Sequence, residues 1–152
     1  MKKLSFILCL LLLVPLGCSR SERTQLPAPA ALFDEISTAA QLPAMTDVAA
    51  DFLETDTGID PAACDGAVYF LLELGTAPDE IIIVRAKTEA DAADIMTRLE
   101  NRLAYKEESA QVYLTEYLPM IQNGVVRRDG LTVSLIVSDQ MEAILKVYDN
   151  YQ

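Results

Sequence analysis

Ala67-Val68-Tyr69-Phe70-Leu71-Leu72-Glu73-Leu74 and, beyond Gly75-Thr76-Ala77-Pro78-Asp79, Glu80-Ile81-Ile82-Ile83-Val84-Arg85-Ala86-Lys87 decide the fold of this chain. The first run is almost wholly apolar, too short for a typical helix, and bounded by Gly66 and Gly75, so it reads as a well-buried strand. The second is β-branched from Ile81 to Val84, which suits a pleated surface. The glycine and proline between them supply a turn, and the two runs pair as an antiparallel hairpin. Two strands alone are not stable in water, so the rest of the chain must supply more.

Downstream, Thr88 caps a long helix and Asp91 completes an acidic capping box. Ala92, Ile95, Met96, Leu99, Leu103, Ala110 and Tyr113 or Leu114 recur at three- and four-residue steps as its inward face. Glu89, Asp94, Arg98, Glu100, Arg102, Lys106, Glu107 and Glu108 fill the wet face. The helix is expected to end near Tyr117, because Pro119 disfavours helical backbone at Leu118, and Glu108-Ser109 is a candidate break. After Asn123-Gly124, strands near 124–127 and 131–138 form a second hairpin through Asp129-Gly130. Leu131, Val133, Leu135 and Val137 alternate with polar residues, Ile136 excepted, which predicts one buried face. Ser138 or Asp139 then caps a last helix with Met141, Ile144, Leu145 and Tyr148 inward. Strand, strand, helix thus occurs twice, the second unit reading as a shorter, weakly similar copy. The expected class is α+β: a four-stranded antiparallel sheet with helices packed on it.

Upstream, Leu32, Phe33, Ile36 and Ala40 predict a helix over 31–41, with Pro43 beyond its end. A second, over 46–55, has Val48, Phe52 and Leu53 inward, Asp47 in its first turn and Gly58 as its stop. Asp60-Pro61 caps and starts one further turn before Gly66. Residues 18–30, polar and then proline-interrupted, read as a flexible tether; from Ser19 it reaches about 40 Å when extended. The globular domain is expected over 31–152.

Lys2 and Lys3 precede an apolar run from Leu4 to Leu16, and Gly17-Cys18 follows. That order is a secretion signal, and the run falls short of the roughly 20 residues a membrane-spanning helix needs. The segment resembles a bacterial lipoprotein signal, in which residues 1–17 are removed and Cys18 is lipidated. Pro15 and Leu16 depart from the commonest pattern, where a leucine and a smaller residue are usual. The resemblance implies a diacylglyceryl group on Cys18, with palmitate-type chains holding the domain on the outer face of the cell membrane; two chains anchor durably where one does not.

The chain carries 12 Lys+Arg against 23 Asp+Glu; without Lys2 and Lys3, 10 basic residues remain and the net charge is −13. Nucleic acid is excluded as an expected partner, since it calls for basic patches. Roughly 120 residues for the fold suit one domain with a real core. Cys9 leaves with the leader and Cys18 is taken by lipid, so Cys64 stands alone and is expected to act as a small core residue. With no histidine, Ser-His-Asp and Cys-His nucleophile systems and the usual zinc sites are absent.

Gly58-Ile59-Asp60, Ala77-Pro78-Asp79-Glu80-Ile81 leading into Val84-Arg85-Ala86-Lys87, Leu99-Glu100-Asn101-Arg102-Leu103, Lys106-Glu107-Glu108-Ser109 and Tyr117-Leu118-Pro119 carry, in this order, a further resemblance. Across Phe33 to Tyr148 the chain resembles a family of uncharacterised lipoproteins, domain of unknown function 4358, found mainly in Clostridia-type Gram-positive bacteria. The resemblance implies a lipid-anchored extracytoplasmic domain and assigns no catalytic or binding residue.

Three sets of side chains compete as functional candidates. Asp47, Asp51, Glu54, Asp56, Asp60 and Asp65 offer oxygens for calcium, but not in the calcium-loop spacing, and Asp47 and Asp60 have capping roles. Paired carboxylates could serve a small glycan hydrolase without histidine, yet nothing in the sequence selects a pair. Tyr105, Tyr117 and Tyr151 are candidate partner contacts, with Arg127 and Arg128 as a basic spot for an acidic partner. The expected function is therefore a non-catalytic binding domain needing no cofactor or metal, facing an envelope protein partner. The alternative is a carboxylate-dependent hydrolase or a calcium-binding module.

Overall fold

A computed structural model describes residues 25–72 and 77–151. Residues 1–17, Cys18, most of the tether and the tip of the first hairpin lie outside them. Helix α1 (Pro29–Ala40) leads into a short strand β1 (Met45–Asp47) and helix α2 (Ala49–Thr57). The first hairpin is β2 (Cys64–Leu72) and β3 (Glu80–Ala86), followed by the long helix α3 (Glu89–Tyr113) and a short α4 (Leu118–Gln122). The second is β4 (Val125–Asp129) and β5 (Thr132–Val137), and α5 (Met141–Asp149) closes the fold. The mixed α+β class stands, with five α-helices and one antiparallel sheet among the described residues, in the order β1-β2-β3-β5-β4.

That sheet has five strands where four were expected. Met45–Asp47, of which Thr46 and Asp47 were expected to start the second helix, instead pairs antiparallel with Phe70–Leu72 at the sheet edge. Asp47 Oδ1 accepts from the Tyr69 and Ala49 amides, closing the strand and turning the chain into α2. Three residues are too few to show a period, and their pairing is fixed by the free edge of β2.

Both sheet faces are covered, which explains the continuous apolar run of β3. Glu80, Ile82, Val84 and Ala86 share one strand face and Ile81, Ile83 and Arg85 the other. Ile82 and Val84 join Tyr69, Val133, Leu135 and Val137 under Ile95 and Leu99 of α3. Ile81 and Ile83 join Val68 and Ile136 under Leu32, Phe33 and Ile36 of α1 and Ile144 and Tyr148 of α5. The expectation of one polar face on the last strand is corrected accordingly: Thr132 to Val137 are all buried, and Ser134 accepts from the Tyr148 hydroxyl at 2.8 Å. Ile136 had no place on a one-sided strand; it belongs to the second core.

The two strand-strand-helix units differ in where their helices pack. Helix α3 lies on one face and α5 on the other.

Three of the expected caps are in place. Thr88 accepts from the Asp91 amide, Asp60 from the Ala62 amide, and Gly58 ends α2 with φ +72°. Helix α5, however, is capped by neither Ser138 nor Asp139: Gln140 holds its N-cap position with no side-chain bond, and Ser138 accepts from the Gln140 amide in the turn before it. Helix α3 runs unbroken through Glu108-Ser109 and ends at Tyr113, four residues early. Pro119 falls in the first turn of α4, where its missing N–H costs nothing.

Two positions expected inward are outside, and Leu114, the alternative to Tyr113, is exposed as well. Tyr113 is 83% exposed and Phe52 47%, while Leu53 takes the buried place on α2. With 25 residues, α3 is about 37 Å long, against about 24 Å for the 7 residues of β3. It starts level with the end of β3 and overshoots the start by two turns, so its last residues meet no sheet.

At its N-terminal side the folded part reaches further back than Ala31. Leu26 is buried, Pro29 packs over Gly66, and the Arg85 guanidinium donates to the Leu26 and Pro27 carbonyls. The tether therefore meets the domain at the end of the sheet where β3 finishes.

Candidate functional site

Glu80 opens β3 on the face that α3 covers, and it is fully buried. A lone carboxylate there would be costly, and α3 supplies two cations four residues apart. Arg102 Nε lies 3.0 Å from Glu80 Oε1, and Lys106 Nζ 2.5 Å from Oε2, an ion pair set at an angle too poor for a hydrogen bond. Burial alone would raise the Glu80 carboxyl, but the two cations outweigh it and hold it below the ordinary range. Arg102 also donates from Nη2 to the Tyr69 hydroxyl at 2.8 Å, and that hydroxyl donates to Asp56 Oδ2 at 3.1 Å. Burial and the neighbouring Glu80 charge push Tyr69 upward, so it stays a neutral donor.

Above this network an open cleft of about 390 Å³ separates the end of α2 from the middle of α3. Thr55, Asp56 and Thr57 form one wall; Arg98, Asn101, Arg102 and Tyr105, one face of α3, form the other. Arg98 Nε is held by Asp94 at 2.6 Å, and its Nη1 lies where a Cβ on Gly58 would come within 2.8 Å. Gly58 thus lets this guanidinium rest against the end of α2. Tyr105 stands at the rim, 63% exposed.

The sequence model of a family described as a domain of unknown function, DUF4358, matches residues 38–138. The chain belongs to this family. No curated protein and no solved structure matches it. The matched region spans both hairpins, α2, α3 and the whole cleft, as well as every motif on which the resemblance was drawn.

Of the contacts expected from sequence, the DUF4358 domain places only Tyr105 in the cleft. Tyr117 packs half-buried against the α3-side core. The Tyr151 hydroxyl donates to Glu35 at 2.7 Å, tying the chain's end to α1. Arg127 is engaged by Asp129 and lies over the Tyr148 ring, 4.1 Å from its centroid, while Arg128 pairs with Glu89. These four are scattered and already partnered. Cys18 lies outside the described residues.

The acidic stretch is not gathered either. Asp47 and Asp60 are spent on backbone amides, Asp56 on Tyr69, and among the described residues no three carboxylate or thiol groups come together to hold a metal. Cys64 is half-buried, with burial first and Asp60 second pushing its thiol up. Asp79 is also raised, chiefly by burial, but it does not line the cleft.

Sequence reasoning put Arg98, Arg102 and Lys106 on a wet helix face and missed Glu80 as the partner of Arg102 and Lys106. One signal was present: a glutamate sharing its strand face with Ile82 and Val84 needs a cation from whatever covers that face.

Proposed function

We propose that this DUF4358 protein is a non-catalytic binding domain, lipid-anchored through Cys18 and exposed on the outer face of the cell membrane. One observation carries the binding role: the overshooting end of α3 presents Val112, Tyr113 and Leu114 at 68%, 83% and 40% exposure, at the opposite end of the sheet from the tether. Three consecutive exposed apolar side chains at the end of a helix suit a protein partner. A tether at one end and a contact surface at the other suit a domain that reaches from the membrane toward an envelope component.

The anchoring half rests on Lys2, Lys3, the apolar run and Cys18. None of the described helices is long and apolar enough to cross a membrane. Against a hydrolase, the acid lining the cleft, Asp56, is tied to Tyr69 and Arg102, and the raised carboxyl of Asp79 does not line the cleft. The test is in-cell crosslinking of the full-length protein beside a Cys18→Ala form, with both tracked by detergent-phase partitioning. Wild type should partition into detergent and yield one dominant envelope partner, and the variant should lose both. Aqueous partitioning of the wild type would refute the anchor, and no partner above background would refute the binding role.

A further inference from the structure

The cleft is a second place where this chain can bind, and its unspent chemistry is one-sided. Among the described residues Asp56 is the only acid lining it; its Oδ1 accepts from Thr55, and its Oδ2 accepts from Tyr69 and faces Arg102 Nη2 at 3.6 Å, which leaves Nη1 of that guanidinium unengaged. Thr57 is used by the backbone at Leu53 and Ile59. On α3, by contrast, Arg98 is held only through Nε, and Nη1 of Arg102 and the side-chain amide of Asn101 make no hydrogen bond among the described residues. The buried Glu80 and Tyr69 fix the Arg102 fork in place, so its free edge is preorganised. Tyr105 adds an aromatic ring at the rim, four residues beyond Asn101.

We infer that the cleft binds a small ligand through a carboxylate held between Arg98 and Arg102, with the ligand's body lying against Tyr105. Guanidinium forks match carboxylates in geometry as well as charge, and Asn101 can add a bond to a neighbouring carbonyl or hydroxyl. A volume of about 390 Å³ admits one sugar ring or a dipeptide. The net negative charge of the chain does not forbid this, because exposed charges beyond about 10 Å are largely screened at ordinary salt. The proposal rests on the reading of the domain as a binding module, but it uses a different surface from the end of α3.

Calorimetric titration of the detergent-solubilised full chain tests it with two matched pairs: N-acetylmuramic acid against N-acetylglucosamine, and D-alanyl-D-alanine against its C-terminal amide. One acid should bind and its neutral counterpart should not, and whichever acid binds tells an acidic sugar from a peptide terminus. Arg98→Gln and Tyr105→Ala, both at partly or largely exposed positions, should each weaken binding about tenfold, while Tyr113→Ser should leave it unchanged. No binding of either acid at millimolar concentration, equal binding of a neutral counterpart, or binding indifferent to Arg98→Gln would overturn the proposal. Loss of partner crosslinking in Tyr113→Ser with ligand binding kept would show the two surfaces to be separate.

Discussion

Glu80 is the residue whose surroundings matter most to stability. Replacing it with Gln leaves Lys106 without its counter-charge and Arg102 with only the more distant Asp56, and the loss should be about 3 kcal/mol. Urea unfolding at neutral pH measures it. Because the folded-state carboxyl is held below its ordinary value of 4.5, its contribution is complete above that value and is lost as pH falls through the lower, folded pKa. The gap between wild type and Glu80→Gln should therefore shrink on acidification; a gap independent of pH would contradict the pairing. Tyr148 acts at the other limb. Burial pushes its hydroxyl up to about 12 from an ordinary 10, so the folded state keeps a proton that the unfolded chain gives up. Stability should fall as pH rises from 10 toward 12, and Tyr148→Phe should make that fall shallower, the remainder coming from the raised Tyr69, while losing about 1 kcal/mol with the Ser134 hydrogen bond.

At the scale of elements, both hairpins and the helices α1, α3 and α5 were legible because their signals are local. Ile81-Ile82-Ile83-Val84, Asp129-Gly130 and the Thr88 cap each state their conformation within a few residues. The strand β1 was not legible, since Met45–Asp47 become a strand only by meeting the edge of β2. Nor were the outward turns of Phe52 and Tyr113, because helical spacing gives a face but not how far the covering sheet extends. The junction of α4 and β4 is a sharper test of packing. A Cβ on Gly124 would fall 2.8 Å from both the Ile121 carbonyl and the Leu103 side chain. A backbone oxygen cannot yield there, so Gly124→Ala should destabilise by about 2 kcal/mol through strain between α4 and α3. A melting temperature equal to wild type would show that the turn can shift.

Across the whole molecule, the fold class followed from the order of elements, but the layering did not. One apolar strand face is compatible with a sheet covered on one side; Ile136 and the unbroken Ile81–Val84 run required helices on both. The Glu80 site escaped the sequence for a related reason, since its partner Arg102 lies 22 residues away on a helix whose rotation is set only when it packs. These layers leave the domain with two ends of different character: Leu26 and Pro27 fastened by Arg85 at one, and the exposed residues that end α3 after Ala110 at the other. The central claim is that the second end meets a partner. A photo-crosslinking residue placed at position 113 of the full-length protein in cells tests it most directly, with position 142 on the exposed surface of α5 as control. An adduct from 113 that is missing from 142 is the expected result. Equal labelling from both positions, or none from 113, would contradict it.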